Sequence, residues 1–275
     1  MSPLIERLLS LQRADGTWSG VAWNRGFTST MHAPMLLRDL GADPADPAVA
    51  DAVARVRDQV TWAGCGPDEC ATHRFFAGEV EPRINGQVAA VGAYFGQDVR
   101  PLVDRLLGEQ LSDGGWNCDA ERGSMRSSFH TTICVLEALL AHERATGPDA
   151  TVTAARHRAH EYLLDRRLFR RRSTNEPVVD RKWPGGDWTR FAFPCWWHYD
   201  VLRGLDYFRA AGIVDPRMGE ALELVRARRQ PSGQWLLDVR YPGAMLVDID
   251  EGVGQPNPWI TVRAERVLAH AKITT

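Results

Sequence analysis

The sequence predicts an all-α fold of about five helix pairs, and three observations predict it. A glycine turn closed by a tryptophan recurs: "LQRADGTWSG" at 11–20, "LSDGGWNCD" at 111–119, "PGGDW" at 184–188 and "QPSGQW" at 230–235, with a weaker form, "WAGCGPDEC", at 62–70. The markers Gly16, Cys65, Gly115, Gly186 and Gly233 lie 49, 50, 71 and 47 residues apart, and a period near 50 with one longer step marks a repeat architecture. Between the turns the apolar residues follow helical spacing, and no stretch alternates as a strand would.

Each repeat has the same grammar. In the first, Leu4, Leu8 and Leu11 fall on one helical face with Ile5 and Leu9 beside them. A helix apolar along one stripe lies on the outside of its layer. Gln12 closes it, and a glycine turn follows. The second helix of each repeat is apolar on more of its surface, as in "INGQVAAVGAYFG" (84–96), "TTICVLEALLA" (131–141) and "WWHYDVLRGLDYF" (196–208). Such a helix is buried, so outer and inner helices alternate in two layers. The long step is explained by "RRRSTNEPVVDRKWPGGDW" (170–188), which is rich in Pro, Gly and charge and reads as a loop. Both sides continue the repeat, so residues 1–275 read as a single domain with a loop insertion around 170–190.

Bulk properties narrow the function classes. The chain has 275 residues, 44% hydrophobic and 25% charged, with a net charge of -2, so no global basic field points to nucleic acid. Five arginines in "RRLFRRR" (166–172) read either as a solvated helix end or loop, or as a docking site for an anionic group such as a diphosphate. No apolar run reaches the roughly 18 residues of a membrane span, and "MSPLIERLLSLQRADG" does not resemble a signal peptide. Five cysteines without a compact framework fit a reducing cytoplasm, with thiols free or metal-bound.

A helix ending in Gln and followed by Gly-x-Trp resembles the QW repeat of squalene–hopene and oxidosqualene cyclases, whose relatives include the β-subunits of protein prenyltransferases. The resemblance covers nearly the whole chain, which looks most like small bacterial squalene-cyclase-like or prenyltransferase-like proteins. It implies an α/α toroid with QW-like turns, inner helices around a central cavity, and an enzyme, cyclase or transferase, acting on a hydrophobic, isoprenoid-type substrate. Similar toroids also serve as non-catalytic ligand or partner binders.

The candidate site lies where the inner helices begin. Met31–His32, Gly86–Gln87, His130–Thr131, Trp196–His198 and Pro258–Trp259 fall at one level, and helix N-termini favour anionic or polarised groups. The segment "RSSFHTTICVLEALL" (126–140) is similar to the prenyltransferase segment whose histidine binds zinc, and Asp68-Glu69-Cys70 supplies the Asp-x-Cys of the preceding repeat. By that resemblance Asp68, Cys70 and His130 are candidate zinc ligands with an open position for a transferase or hydrolase-type reaction. Cys65, His73 and Cys118 compete as ligands, and the longer linker "ATHRFFAGEVEPR" departs from the family pattern. The alternative is a hydrogen-bonded helix-start histidine among small buried cysteines.

"LVDIDEGVG" places Asp248, Asp250 and Glu251 before the last inner helix. It approximates the Asp-x-Asp-Asp of cyclases that protonate an alkene or epoxide, a task needing a carboxyl kept protonated; the other reading is a solvated acidic loop. Asp119, Glu121, Glu79 and Glu81 are further loop carboxylates. "FAFPCWWHYD" gathers Phe191, Phe193, Trp196, Trp197 and Tyr199, with Trp259 from the last repeat. Such rings either stabilise carbocations, each by about 0.5–2 kcal/mol, or fill the core. His198 and Asp200 do not share a helix face. The expected catalytic set is His130, Asp119, His198, Asp248 and Asp250; Arg126, Trp196, Trp197 and Trp259 would hold substrate.

Overall fold

The computed structural model describes residues 2–62, 73–180 and 182–273. Among them are ten α-helices and no strand, only isolated bridges such as Phe27 with Met245. The chain divides into two compact units, Met1–Arg156 with Gly243–Ile249, and His157–Pro242 with Asp250–Thr275.

The first unit holds α1 (Pro3–Ser10), α2 (His32–Asp39), α3 (Pro47–Gln59), α4 (Pro82–Tyr94), α5 (Arg100–Gly108), α6 (Phe129–Thr146) and the start of α7 (Ala150–Leu164). Pro occupies the first turn of α1, α3, α4 and α5, where its missing N–H has no helical partner to lose. Burial alternates as the pattern requires. In α1 only Ile5 and Leu8 are buried, and in α3 only Val49, Ala52, Val53 and Val56. In α4, by contrast, eleven of 13 residues are buried, and in α6 eleven of 18. The two buried helices pack closely at Gly86: a Cβ there would lie 2.8 Å from the backbone carbon of Cys134.

The second unit holds the rest of α7, then α8 (Val201–Ala210), α9 (Gly219–Ala227) and α10 (Pro258–Ile273). Seven of the 10 residues of α8 are buried, against only Ala221 and Val225 in α9. The last helix departs from the expected inner type: Ile260, Ala264, Val267 and Ala271 form a single buried stripe, while Val262 is exposed. The helix expected from Trp196 begins five residues later, because Asp200 caps it, its side chain accepting from the Arg203 amide at 2.8 Å. No helix occurs among the described residues of 171–200. Three of the arginines of 166–172 are tied down internally. Arg170 and Arg167 pair with Glu220, and Arg166 donates to the Tyr162 carbonyl.

Three tryptophan turns use one set of bonds. The indoles of Trp18, Trp116 and Trp235 donate to the carbonyls of Leu8, Leu106 and Val225, at 2.8, 2.7 and 2.8 Å. Each acceptor lies on the helix before the turn, near its end, where the regular i to i+4 bond is lost and the carbonyl keeps only a longer one, at 3.3 Å, to the amide three residues on. The backbone amides of the same tryptophans donate to the hydroxyls of Thr30, Thr132 and Thr261. Gln12 and Gln110 add a third tie: each amide nitrogen donates both to its own turn, at Gly16 and Gly114, and to the following outer helix, at Ala52 and Ala155. The Gln230 side chain instead donates to the nearby Arg228 carbonyl. Trp62 stacks on Phe75 and donates to its carbonyl, while Trp188 is half-buried with its ring edge-on to Tyr199.

Candidate functional site

In the first unit, the starts of α2, α4 and α6 come together. Arg83, in the first turn of α4, has a side chain only 17% exposed and is bonded to Glu81 at 2.8 Å. Burial works against its charge, but the bond to Glu81 outweighs it, so the guanidinium stays protonated. His32, the first residue of α2, is fully buried with Nδ1 2.8 Å from Ser29 Oγ. Burial, and secondarily Arg83, push its pKa down to about 3, so the imidazole is neutral. Cys118 Sγ lies 3.5 Å from Thr131 Oγ1 in the first turn of α6, and burial raises its pKa, leaving a thiol.

Gln87 sits one turn beyond Arg83 and is 3% exposed. Neither its amide nitrogen nor its oxygen has a hydrogen-bond partner among the described residues. An unmet buried polar group costs about 1–3 kcal/mol. Glu79 is also buried; desolvation raises its pKa, opposed by the Glu81 amide it accepts at 2.7 Å. Its backbone is clamped by Asn85, which both donates to the Glu79 carbonyl and accepts from its amide.

The second unit carries the aromatic set. His198 lies between Trp197 and Tyr241, with ring centroids at 3.7 and 3.5 Å and planes within 24° and 7°. Trp183 flanks the stack, 6.2 Å from Trp197 and 6.0 Å from His198. Gly185 makes room for it, since a Cβ there would fall 2.1 Å from the Trp183 ring. Phe193 and Trp259 stack separately, 5.0 Å apart and within 2°, with the Arg263 guanidinium 5.7 Å from the Phe193 centroid. Beside them is a buried polar cluster. Asp200 is 2% exposed, and desolvation raises its pKa against the amides and arginines around it. Arg203 donates to the carbonyls of Trp196 and His198, holding Trp196 at φ 48°, a left-handed conformation unusual for a bulky residue. Arg263 reaches Cys195 Sγ at 3.3 Å.

The other expected residues fare differently. His130 lies half-buried at the start of α6. Asp119 is on the surface, ion-paired with Arg122 at 3.3 Å, both side chains more than half exposed. Arg126 is exposed; its carbonyl, accepting from Asn117, is what shapes the loop. Trp196 is buried, and Trp197 and Trp259 are half-buried. Asp248 is exposed between the buried Val247 and Ile249, whereas the Asp250 side chain is 2% exposed. Asp250 Oδ1 accepts from Arg240 at 2.7 Å and from the Gly252 amide at 2.8 Å, and its buried Oδ2 has no partner among the described residues. Asp68, Cys70 and the competing Cys65 lie outside the described residues. Among the described ones, no group of three His, Cys, Asp or Glu side chains could hold a metal, so Cys118 and His130 do not fit zinc by themselves.

Sequence pattern does not single out Arg83 or Arg203; Arg203 sits in the apolar run "VLRGL" (201–205), a signal that could have found it, whereas Arg83 lies among Glu81, Asn85 and Gln87 and carries none. No described helix is long and apolar enough to cross a membrane.

No protein-family description and no curated protein matches the chain. Among solved structures it is similar to type II terpene cyclase MstE from Scytonema. One match is to a variant of that enzyme in complex with geranylgeranyl dihydroxybenzoate, at 17% identity and a TM-score of 0.46, covering 98% of this chain and 81% of that one. Another is to the apo enzyme, at 12% identity and a TM-score of 0.30, covering 98% and 97%. Values this low speak to neither activity nor substrate.

Proposed function

We propose that the protein is a terpenoid-cyclase-like or prenyltransferase-like enzyme acting on a hydrophobic, isoprenoid-type substrate. The observation that carries this reading is the pair of aromatic stacks in the second unit, Trp197–His198–Tyr241 and Phe193–Trp259. Half-buried Trp197 and Trp259 offer apolar, electron-rich surface of the kind that steadies a carbocation. Asp250, anchored by Arg240 and carrying an unmet buried oxygen, is the carboxylate assigned to act on the substrate, and His198 is the imidazole held within the aromatic stack. Asp248 and Asp119, on the surface, support no such role. The toroid with its QW-like turns rests on the sequence resemblance. His130 stays a candidate ligand of zinc only together with Asp68 and Cys70, where the metal would supply a Lewis acid or a bound thiolate.

The test is incubation of the purified full chain with linear polyprenyl alcohols, diphosphates and prenylated aromatic acids, with products resolved by gas chromatography and mass spectrometry. A cyclised or transferred product, reduced at least about a hundredfold in Asp250→Asn, is expected; such losses are usual for removal of a reacting acid or base. No product from any class, with and without added zinc, refutes the enzyme reading and leaves a binding protein. Metal content below about 0.1 zinc per chain, with no gain on adding zinc, removes the zinc alternative.

A further inference from the structure

The first unit holds a cavity that the proposed reaction does not use. It lies at the ends of α4 and α6 opposite Arg83 and His130, where α5 and α7 begin, and its volume is about 340 Å3, at the small end of the range for ligand pockets. Ala93, Val99 and His142 are its most buried lining residues, at 6, 2 and 4% exposed. His142 is the polar group among them. Its backbone carbonyl accepts from the Thr146 hydroxyl at 2.9 Å. The imidazole itself makes no hydrogen bond, ion pair or ring contact among the described residues, and its nitrogens are not sealed from solvent. A buried polar group without a protein partner takes one from whatever fills the space beside it.

The rest of the lining is rich in acceptors and short of free donors. Gln97 gives its amide nitrogen to the Phe95 carbonyl at 3.0 Å, which leaves the amide oxygen without a partner among the described residues. Asp98 accepts from the Arg100 amide through one oxygen, at 3.0 Å, and has no ion pair there. At the end of α6 the Gly147 amide bonds back to the Glu143 carbonyl at 2.9 Å, and no backbone amide among the described residues reaches the carbonyls of Ala145 and Thr146. Arg100 is the cation of the lining, and Asp104 and Asp149 engage it, both at 2.8 Å. The starts of α5 and α7 offer nothing to an anion, because Asp98 and Asp149 already occupy their first amides.

We propose that this cavity binds a small primary ammonium ion carried on a short alkyl stem. An ammonium group has three donors and no acceptor, and a neutral imidazole keeps one acceptor nitrogen. The Asp98 carboxylate, the Gln97 amide oxygen and His142 supply the three acceptors, while Ala93 and Val99 receive the stem. The charge agrees: Asp98 and Asp149 stand against Arg100 alone. A metal ion does not fit, since no group of three His, Cys, Asp or Glu among the described residues could hold one. Nothing in this depends on the second unit or on the proposed reaction.

The experiment is calorimetric titration of the full chain with n-butylammonium chloride, and with sodium butyrate as the anion of matching length. Imidazole signals are followed by nuclear magnetic resonance in parallel, that of His142 being the one missing from His142→Gln. Saturable binding of butylammonium that shifts the His142 signal, with none for butyrate, is expected. Asp98→Asn removes the charge but keeps a side chain able to cap α5, and should weaken binding about tenfold or more, as for a lost hydrogen bond to a charged group. Gln97→Met should weaken it severalfold. Both positions lie at the edge of the cavity, Asp98 exposed and Gln97 half-buried, so both variants should melt like the parent without ligand. Binding of butyrate in its place, binding of neither ion, or binding that leaves the His142 signal unmoved overturns the proposal. So does an Asp98→Asn protein that binds butylammonium like the parent. Catalytic turnover is not read, so failure here leaves the enzyme reading standing, and failure of the enzyme reading leaves this one standing.

Discussion

Three glutamines occupy the same place in the repeat, yet they make different bonds, and that difference can be weighed. Gln12 and Gln110 each tie their turn to the next outer helix through two bonds from one nitrogen, at 3.1 and 2.9 Å, and 2.7 and 2.8 Å. Gln230 makes one local bond at 3.0 Å. At about 1 kcal/mol net per bond, replacement by leucine, which keeps the bulk, should cost about 2 kcal/mol at Gln12 and Gln110 and about 1 kcal/mol at Gln230. For a chain of this size a kilocalorie moves Tm by about 2–4 °C. The expected losses are therefore about 4–8 °C for Gln12→Leu and Gln110→Leu and about 2–4 °C for Gln230→Leu, read by far-ultraviolet circular dichroism on heating. Because the structure divides into two units, each variant should be compared within the transition it shifts. Equal losses at all three sites, or the largest at Gln230, would refute the idea that the long-range tie to Ala52 and Ala155 is what the glutamine contributes.

The remaining expectations concern packing and charge. His32 is neutral when folded, with a pKa near 3 against 6.5 unfolded. The unfolded chain therefore binds more protons between those values, and stability falls as pH drops below about 6.5, by about 1.4 kcal/mol per pH unit from this group. His32→Asn should flatten that slope in denaturant titrations at pH 5 and 7. Gly86→Ala should destabilise by more than about 2 kcal/mol or abolish soluble folding, because its Cβ would meet Cys134 backbone at 2.8 Å. Gly108→Ala, with nothing within 4 Å of the new Cβ, should be neutral or stabilising by up to about 1 kcal/mol. Arg156→Met should cost about 3–5 kcal/mol in chemical denaturation, since it leaves the Glu143 carboxylate, 8% exposed, without its arginine and held only by the Thr153 hydroxyl among the described residues.

The helices were legible because a buried helix and a one-stripe helix write different patterns, and α4 and α6 against α1 and α3 obey that rule. Where it failed, a local bond overrode it. Asp200 caps α8 and delays its start, so Trp196 and Trp197, expected on a helix, lie in a turn ahead of it. Pattern also misjudged α10, whose apolar residues are numerous but confined to one face. For the site, spacing placed His32 and His130 correctly at helix starts, since register is a local property, but Gln87, expected at one, lies a turn inside α4, which begins at Pro82. It could not separate Asp248 from Asp250, two residues apart and opposite in exposure, because burial of a loop carboxylate is decided by its distant partner, here Arg240. Arg83 was missed for the same reason.

The tryptophan joints leave one length unconstrained. Each clamps the chain at Trp18, Trp116 or Trp235 and again at Thr30, Thr132 or Thr261, yet the spans between are 12, 16 and 26 residues. A segment anchored at both ends by the same pair of groups can be lengthened at small entropic cost, since closure grows only with the logarithm of length. These are the segments that deliver residues to the helix starts. The frame therefore resembles a loom with fixed pegs and exchangeable thread: new loops, and with them new chemistry, could be grafted between tryptophan and threonine without re-engineering a single joint.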